Sequence, residues 1–249
     1  MADLLLGGDA GHGYNTPGKR TPDGEREWSF NDTVIKAFIK EINTYQNVKF
    51  KRYDDPTGKT DVSLATRTNS ANKDKVAYYF SFHHNANTGK WGTWTGSETH
   101  VYEKLSDSSE TVKVARLLNA AQVSGMGLRD RGIKKTNLHI TRETNMPAFL
   151  FEGGFMDSTI DIKKMRDKAT LEKTGKAIAV AFAKYKGLKK KATSSAPKQE
   201  APKANAKSDL TRVIVDGKQV GAFGKDAKVM EAVEKALKQG KKSIKIEEV

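Results

Sequence analysis

The sequence predicts an α/β fold: a mostly parallel twisted sheet flanked by helices, followed by a small C-terminal α+β module. Three observations predict it. Short apolar runs alternate with segments of helical period through the first 186 residues, and the run from Val76 to Phe82 has the length and aromatic content of a strand buried on both faces. At Gly187 the composition changes abruptly to Lys, Ala, Ser and Pro, and beyond Ser208 a second set of strand and helix signals begins.

Residues 3 to 7 form the first expected strand, followed by a Gly- and Pro-rich loop from Gly11 to Gly24. From Trp28 to about Ile42 the apolar positions Phe30, Val34, Ala37, Phe38 and Ile42 recur at helical spacing, so a helix packs there against the sheet. Val48 to Tyr53 reads as a strand, Pro56-Thr57-Gly58 breaks it, and Val62 to Asn72 reads as a second helix. After the strand Val76 to Phe82 comes a polar, glycine-rich surface loop, Gly89 to Gly96, carrying Trp91 and Trp94. Ser97 to Tyr102 is a strand and Ser108 to Val123 a helix; Arg129 to Gly132 leads into Leu138-His139-Ile140-Thr141. Pro147 precedes a strand ending at Glu152, and helices over about 160–165 and 170–185 complete the first domain, 1–186.

Residues 187–208 carry six lysines and almost nothing apolar beyond Leu188, which predicts a flexible basic linker. In 209–249, two short apolar runs flank Asp216-Gly217, a hairpin signal. A helix over Val229 to Leu237 and a strand over Ser243 to Ile246 complete a ββαβ module. At about 40 residues such a module lies at the limit of independent stability, so it is expected to pair with a copy of itself or to firm up on its ligand.

Composition narrows the function classes. The formal charge of +14 implies an anionic partner surface, for which nucleic acid and an anionic bacterial wall are the two candidates. With no cysteine, a metal can be held only by His, Asp or Glu. No apolar run approaches the roughly 18 residues of a membrane span. The start of the chain lacks the basic flank and apolar core of a secretory signal. The expectation is a protein made in the cytoplasm that acts elsewhere only after something releases it.

The chemistry converges at strand ends, where open α/β sheets place their ligands. His12 follows the first strand within Asp9-Ala10-Gly11-His12-Gly13, and His83-His84-Asn85 follows the Val76 run. Glu27 opens the first helix, and Glu152 closes Ala148-Phe149-Leu150-Phe151. Hydrolytic zinc takes three protein ligands, often two His and one carboxylate, and leaves a fourth position to water. His12, Glu27 and one of the paired histidines supply that set, with Glu25 competing for the carboxylate. Side chains alternate along a strand, so His83 shares a face with Tyr79 and Ser81, and His84 with Phe80 and Phe82; His83 is favoured without being decided. Glu152, an acid between apolar residues and two glycines, is poorly explained as solvated surface and suits proton transfer. Gly13 to Arg20 nearly satisfies a phosphate-binding loop, but Arg20 stands where a hydroxyl should bind magnesium, and Pro22 and Gly24 where a helix should start.

With these residues assembled, 3–186 resembles the zinc-dependent N-acetylmuramoyl-L-alanine amidases of the amidase 3 family, in particular lytic amidases of Gram-positive spore formers and the endolysins of their phages. Asp9 to Gly13 resembles the D-x-G-H-G segment, Glu27 with Asn31 resembles E-x-x-x-N, and Arg67 with Ala71-Asn72 matches R-x-x-x-A-N. Ser81 to Ala86 resembles S-I-H-A-N-A, with His84 where alanine is usual, and Pro147 to Phe155 resembles P-A-x-L-x-E-x-G-F. Tyr14 stands where a second glycine is common. The resemblance implies cleavage of the amide between N-acetylmuramic acid and L-alanine of the stem peptide. It implies Zn2+ on His12, Glu27 and His83, and Glu152 as the catalytic acid-base. His84, Asn85, His139 and Arg142 are expected to bind substrate or tune the site, and Trp91 and Trp94 to stack on sugars. The C-terminal module, through Val213 to Gly221, resembles small cell-wall-binding domains of endolysins; which of its residues bind is left open. The expected partners are peptidoglycan and an anionic wall polymer, without nucleic acid. An endolysin is favoured over a host mother-cell lytic amidase, a zinc peptidase cutting within the stem peptide, and a basic binding protein with an inert fold.

Overall fold

Six strands make one sheet: β1 (Leu4–Ala10), β2 (Val48–Arg52), β3 (Tyr78–Asn85), β4 (Ser97–Tyr102), β5 (Asp130–Thr136) and β6 (Ala148–Phe155). Their order is β2-β1-β3-β6-β4-β5, with β2, β1, β3 and β6 mutually parallel, β4 antiparallel to β6, and β5 parallel to β4. The computed structural model describes residues 3–191, 211–216, 218–223 and 244–248. The chain divides into two units, residues 1–193 and 194–249.

The alternation of side chains along β3 splits the interior into two layers. Phe80 and Phe82 face helices α1 (Glu27–Ile42) and α6 (Lys168–Tyr185), where they meet Phe38, Phe149, Phe151 and Phe182; the Phe38 and Phe80 rings are 4.8 Å apart. Tyr79 faces the other way, into a smaller cluster with Tyr53, Val76 and Ala148, covered by Ala71 of α2 (Leu64–Lys73) and Ile140 of α4 (His139–Glu143). Helix α3 (Glu110–Met126) packs beside α6, and the single turn α5 (Ile162–Met165) leads into it. Close approach of α6 to α1 needs Gly175, since a Cβ there would lie 2.1 Å from the Val34 carbonyl oxygen.

Where the structure departs from the sequence pattern, the reasons are local. Strand β5 is absent from the pattern because Asp130, Arg131, Lys134 and Lys135 interrupt it; an edge strand tolerates such charges, and they discourage further pairing. Strands β3 and β6 run past their apolar cores to Asn85 and Phe155, with a register shift between His83 and Asn85. The Gly13–Arg20 segment meets no helix N-terminus, since α1 begins only at Glu27. The first residues of the expected linker are held in place: the Lys189 carbonyl accepts from Gln46, Lys191 N–H donates to Thr44, and Lys190 binds Glu41 at 2.5 Å.

In the second unit, β7 (Thr211–Val215) pairs antiparallel with β8 (Lys218–Phe223) and β9 (Ile244–Glu248), in the order β8-β7-β9. The expected hairpin is present, its turn entered through Asp216 at φ +49°. The last strand lies slightly later than expected, and the helix expected over 229–237 falls outside the described residues.

Candidate active site

β1 ends at Ala10, and two residues later His12 adopts φ +66°, a left-handed conformation that costs a non-glycine residue about 1–3 kcal/mol. Such strain persists only where the surroundings impose it. Arg67, buried in α2, does so: its guanidinium donates to the carbonyls of Ala10 (3.0 Å), His12 (3.2 Å) and Val62 (2.8 Å) and pairs with Asp61 (3.0 Å). Its charge is balanced from within by Asp9 at 3.2 Å, which also accepts from the hydroxyls of Tyr79 (2.8 Å) and Ser81 (2.5 Å). The Asp9 and Arg67 of the sequence motifs therefore form the buried brace that aims His12.

Glu27, in the first turn of α1, points across the end of the sheet. Its Oε2 lies 3.3 Å from Nε2 of His12, and its Oε1 lies 3.0 Å from Nδ1 of His83. Candidate ligand atoms of all three residues lie within 4.8 Å of one another. The two imidazoles meet edge to face, centroids 4.8 Å apart. One turn along α1, Asn31 donates to Glu27 Oε1 (3.4 Å) and to the Gly11 carbonyl (3.1 Å), tying the carboxylate to the loop that carries His12.

The structure also separates the paired histidines. His83 lies on the face predicted for it, whereas His84 turns toward α1, packs against Phe30, and places Nδ1 2.7 Å from the Asn31 side-chain oxygen. That oxygen only accepts, so His84 carries its proton on Nδ1 and its Nε2 is a bare lone pair, which has no partner. Burial pulls His84 down to about 4 and keeps it neutral. Its backbone N–H donates to Glu27 Oε1 at 3.1 Å.

Electrostatics follows from burial and neighbours. Burial opposes ionisation of Glu27, yet the His83 hydrogen bond, the two imidazoles and the His84 N–H outweigh it and hold the carboxyl at about 2. Burial takes His12 down to about 4. His83 is also buried, but its bond to Glu27 and the Glu27 charge overcome desolvation and raise it. Two neutral-capable imidazole nitrogens and one ionised carboxylate, with no thiolate, make a donor set that fits a divalent transition metal held by three protein ligands.

Glu152 stands beside this cluster because β6 pairs with β3 in the register His83↔Glu152. Burial is the main reason its carboxyl is pushed up to about 8; His83 opposes the shift while Glu27 and Glu98 add to it. Its Oε2 is buried without a hydrogen-bond partner. His12, Glu27, His83, His84, Asn85 and Glu152 line one cleft of about 330 Å³, whose other wall includes Pro17, Gly18, Lys19 and Met156. A second cleft of about 320 Å³ adjoins His12 and His83 from the side of Asp61, Leu64 and Ile140.

Glu25 is not at the cluster: it pairs with Arg166 at 2.6 Å on the surface. Asn85 lines the cleft but directs its amide to Glu98 at 3.1 Å. His139 and Arg142 sit on α4 and line neither of these clefts; His139 meets Thr68 (3.3 Å) and Arg142 bonds Asn137 and Glu143. Trp94 is held by Asp157, whereas Trp91 is exposed. Sequence reasoning missed Glu98, which β4 sets in register with Glu152 and which binds Arg131 (2.8 Å), His100 (3.3 Å) and Asn85. The available signal was an acid inside an otherwise uncharged strand start, Ser97-Glu98-Thr99.

A family model described as N-acetylmuramoyl-L-alanine amidase matches residues 9–184, a span holding His12, Glu27, His83 and Glu152. The chain belongs to that family. It is 33% identical to the N-acetylmuramoyl-L-alanine amidase CwlM of Bacillus licheniformis, over 80% of this chain and 77% of that protein. It is 31% identical to the endolysin of Bacillus phage SPP1, over 82% of this chain and 74% of that protein. Among solved structures, the N-acetylmuramoyl-L-alanine amidase of Clostridium difficile 630 superposes with a TM-score of 0.68 at 26% identity, covering 75% of this chain and 98% of that one. This enzyme is thus a hydrolase of the peptidoglycan amidase type, with a His-Glu-His cluster able to hold a metal.

Proposed function

We propose that this enzyme is a zinc-dependent endolysin that cleaves the amide between the lactyl group of N-acetylmuramic acid and L-alanine of the stem peptide, with His12, Glu27 and His83 as metal ligands and Glu152 as acid-base. The observation that carries the reading is the pairing of Glu152 with His83 across β3 and β6, which sets a half-buried carboxyl, its Oε2 without a hydrogen-bond partner, beside a three-ligand cluster in one cleft. When bound there, zinc acidifies a water molecule and polarises the substrate carbonyl.

The chain's own residues supply the rest. Glu152 takes the proton of the attacking water, whose oxygen joins the lactyl carbonyl carbon. The carbon–nitrogen bond then breaks, and Glu152 passes the proton to the departing L-alanine nitrogen. Burial, with the Glu27 charge beside it, raises the Glu152 carboxyl above the ordinary carboxylate range, so once ionised it is a stronger base toward the water than a solvated carboxylate and can then pass the proton on. Asn31 and the His84 N–H hold Glu27 ionised and in position. The C-terminal module, 209–249, is proposed to hold the enzyme on an anionic wall polymer, the basic stretch before it serving as the linker that raises the enzyme's effective concentration at the substrate. The similarity to a Bacillus phage endolysin over most of both chains supports the lytic assignment.

The test incubates the protein with purified Bacillus-type walls and identifies the chemical ends released, with Glu152→Gln alongside. New L-alanine amino termini without new reducing sugars are expected, and the variant should lose about 10²–10⁴-fold in kcat while keeping its metal. Other amino termini would make the enzyme a stem-peptide peptidase, and loss of metal from the variant would make Glu152 a ligand.

A further inference from the structure

We infer that Trp91, Ile160 and Arg166 form a saccharide subsite beside the cleft, a ledge that takes an N-acetylated sugar of the glycan strand bearing the scissile amide. This rests on the amidase reading, under which a glycan must lie along one side of the cleft. The loop carrying Trp91 leaves β3 at Ala86, itself part of the cleft wall. It is pinned from below by the buried carboxylate of Asp157, which accepts the N–H groups of Asn87, Thr88 and Gly89, each at 2.8 Å, and the indole N–H of Trp94 at 2.7 Å. The Trp94 ring fills the space over Gly92, where a Cβ would lie 2.2 Å from it. Trp94 is therefore the structural tryptophan, and Trp91 is left for contact.

Gly92 forms a bridge with Ser158, and Thr159 N–H donates to the Gly92 carbonyl at 2.9 Å. This joins two rigid loops and leaves Trp91 (40% exposed) and Ile160 (44% exposed) flanking the junction. A large apolar surface held out on a fixed support marks a contact site better than one on a loose loop does. The Arg166 guanidinium sits 5.9 Å from the Trp91 ring centroid and is clamped by Asp23 (2.5 Å) and Glu25 (2.6 Å). Those acids belong to the loop that supplies Pro17, Gly18 and Lys19 to the cleft wall and then runs into Glu27, so one loop ties the ledge to the cleft wall.

The chemistry selects the ligand. Two carboxylates neutralise Arg166, so the ledge has no net attraction for a polyanion. The clamp uses only its Nε and one terminal nitrogen, leaving N–H groups free to donate to neutral oxygens. An N-acetylated pyranose supplies what is needed: a C–H face for the indole, an acetamido methyl for Ile160, and carbonyl and hydroxyl oxygens for the guanidinium.

The test uses the full chain as wild type, Trp91→Ala, Trp91→Phe and, as a distant control, Val180→Ala at an exposed position on α6. Binding of an N-acetylglucosamine tetramer is measured by calorimetric titration, and cleavage is compared between wall fragments with long glycan strands and single N-acetylmuramoyl peptides. Loss of a stacking contact should weaken saccharide binding and narrow the KM preference for long strands by about three- to tenfold in Trp91→Ala, with Trp91→Phe recovering most of it. If Trp91→Ala matches Val180→Ala in both measurements, the ledge is refuted while the amidase reading stands. If the wild type cleaves neither substrate, the amidase reading fails, and the titration alone decides whether the ledge binds sugar.

Discussion

Replacing Gly11 by alanine tests whether the His12-Glu27-His83 arrangement is as tight as described. The φ of Gly11 is not the issue; its hydrogen is. A Cβ there would lie 2.0, 2.2 and 2.4 Å from Cε1, Nε2 and Nδ1 of His83, at least 1 Å inside normal contact. Backbone relief is blocked, because Gly11 N–H donates to the Phe82 carbonyl at 2.9 Å and its own carbonyl accepts from Asn31. The imidazole must therefore swing by more than 1 Å, while functional constellations tolerate only about 0.5 Å. The bond to Glu27 at 3.0 Å breaks, and overpacking adds about 1–3 kcal/mol of destabilisation. Displacing a ligand should cost at least the upper end of what losing a supporting contact costs, about 100-fold in metal affinity. Competition with a chromophoric chelator measures the affinity, and circular dichroism with thermal unfolding shows whether the fold survives. Wild-type metal affinity in a folded Gly11→Ala protein would refute the packing of His83 on Gly11, and with it the proposed ligand set.

Other perturbations probe the supporting structure. Arg67→Met leaves Asp9 buried without its cation and should cost about 3–5 kcal/mol in denaturant unfolding; a loss below 1 kcal/mol would show that Arg67 is not the brace of the His12 turn. Burial opposes the charge of Glu98, but His100 and Arg131 outweigh it and hold the carboxyl at about 2, below its ordinary 4.5. A depressed pKa gives stability that is complete above 4.5 and lost as pH falls toward 2, about 2 kcal/mol after screening by its partly exposed partners. Unfolding of Glu98→Gln should therefore be less steep in this pH window, and an unchanged slope would remove Glu98 from the network. Stripping the metal with a chelator should lower the unfolding midpoint, since a ligand at 100 times its Kd contributes about 2.7 kcal/mol, and zinc should restore it. Zinc affinity should fall as pH drops, because the raised His83 must shed its proton to bind; an affinity flat from pH 8 to 5 would argue against imidazole ligands.

The sequence by itself determined the α/β class, the strand ends that carry chemistry and the residue types gathered there, because these follow from short-range patterns. Period-2 alternation put His83 on the Tyr79 and Ser81 face, helical spacing put Glu27 at a helix start, and an acid between apolar residues and glycines singled out Glu152. Tertiary structure alone decided what depends on residues far apart in the chain. Glu25 and Glu27 look equivalent in sequence until Arg166 draws Glu25 to the surface. His84 could compete with His83 until Asn31, one turn into α1, claims its Nδ1. Arg67 and Asp9 are only motif letters until folding brings them to 3.2 Å beneath the His12 turn. Strand β5 escaped notice because charges at a sheet edge mimic a loop, and Glu98, on the interior strand β4, because only pairing sets it opposite Glu152. Local pattern governs which face a side chain takes; the partner that fixes its charge and direction is set by packing across the sheet.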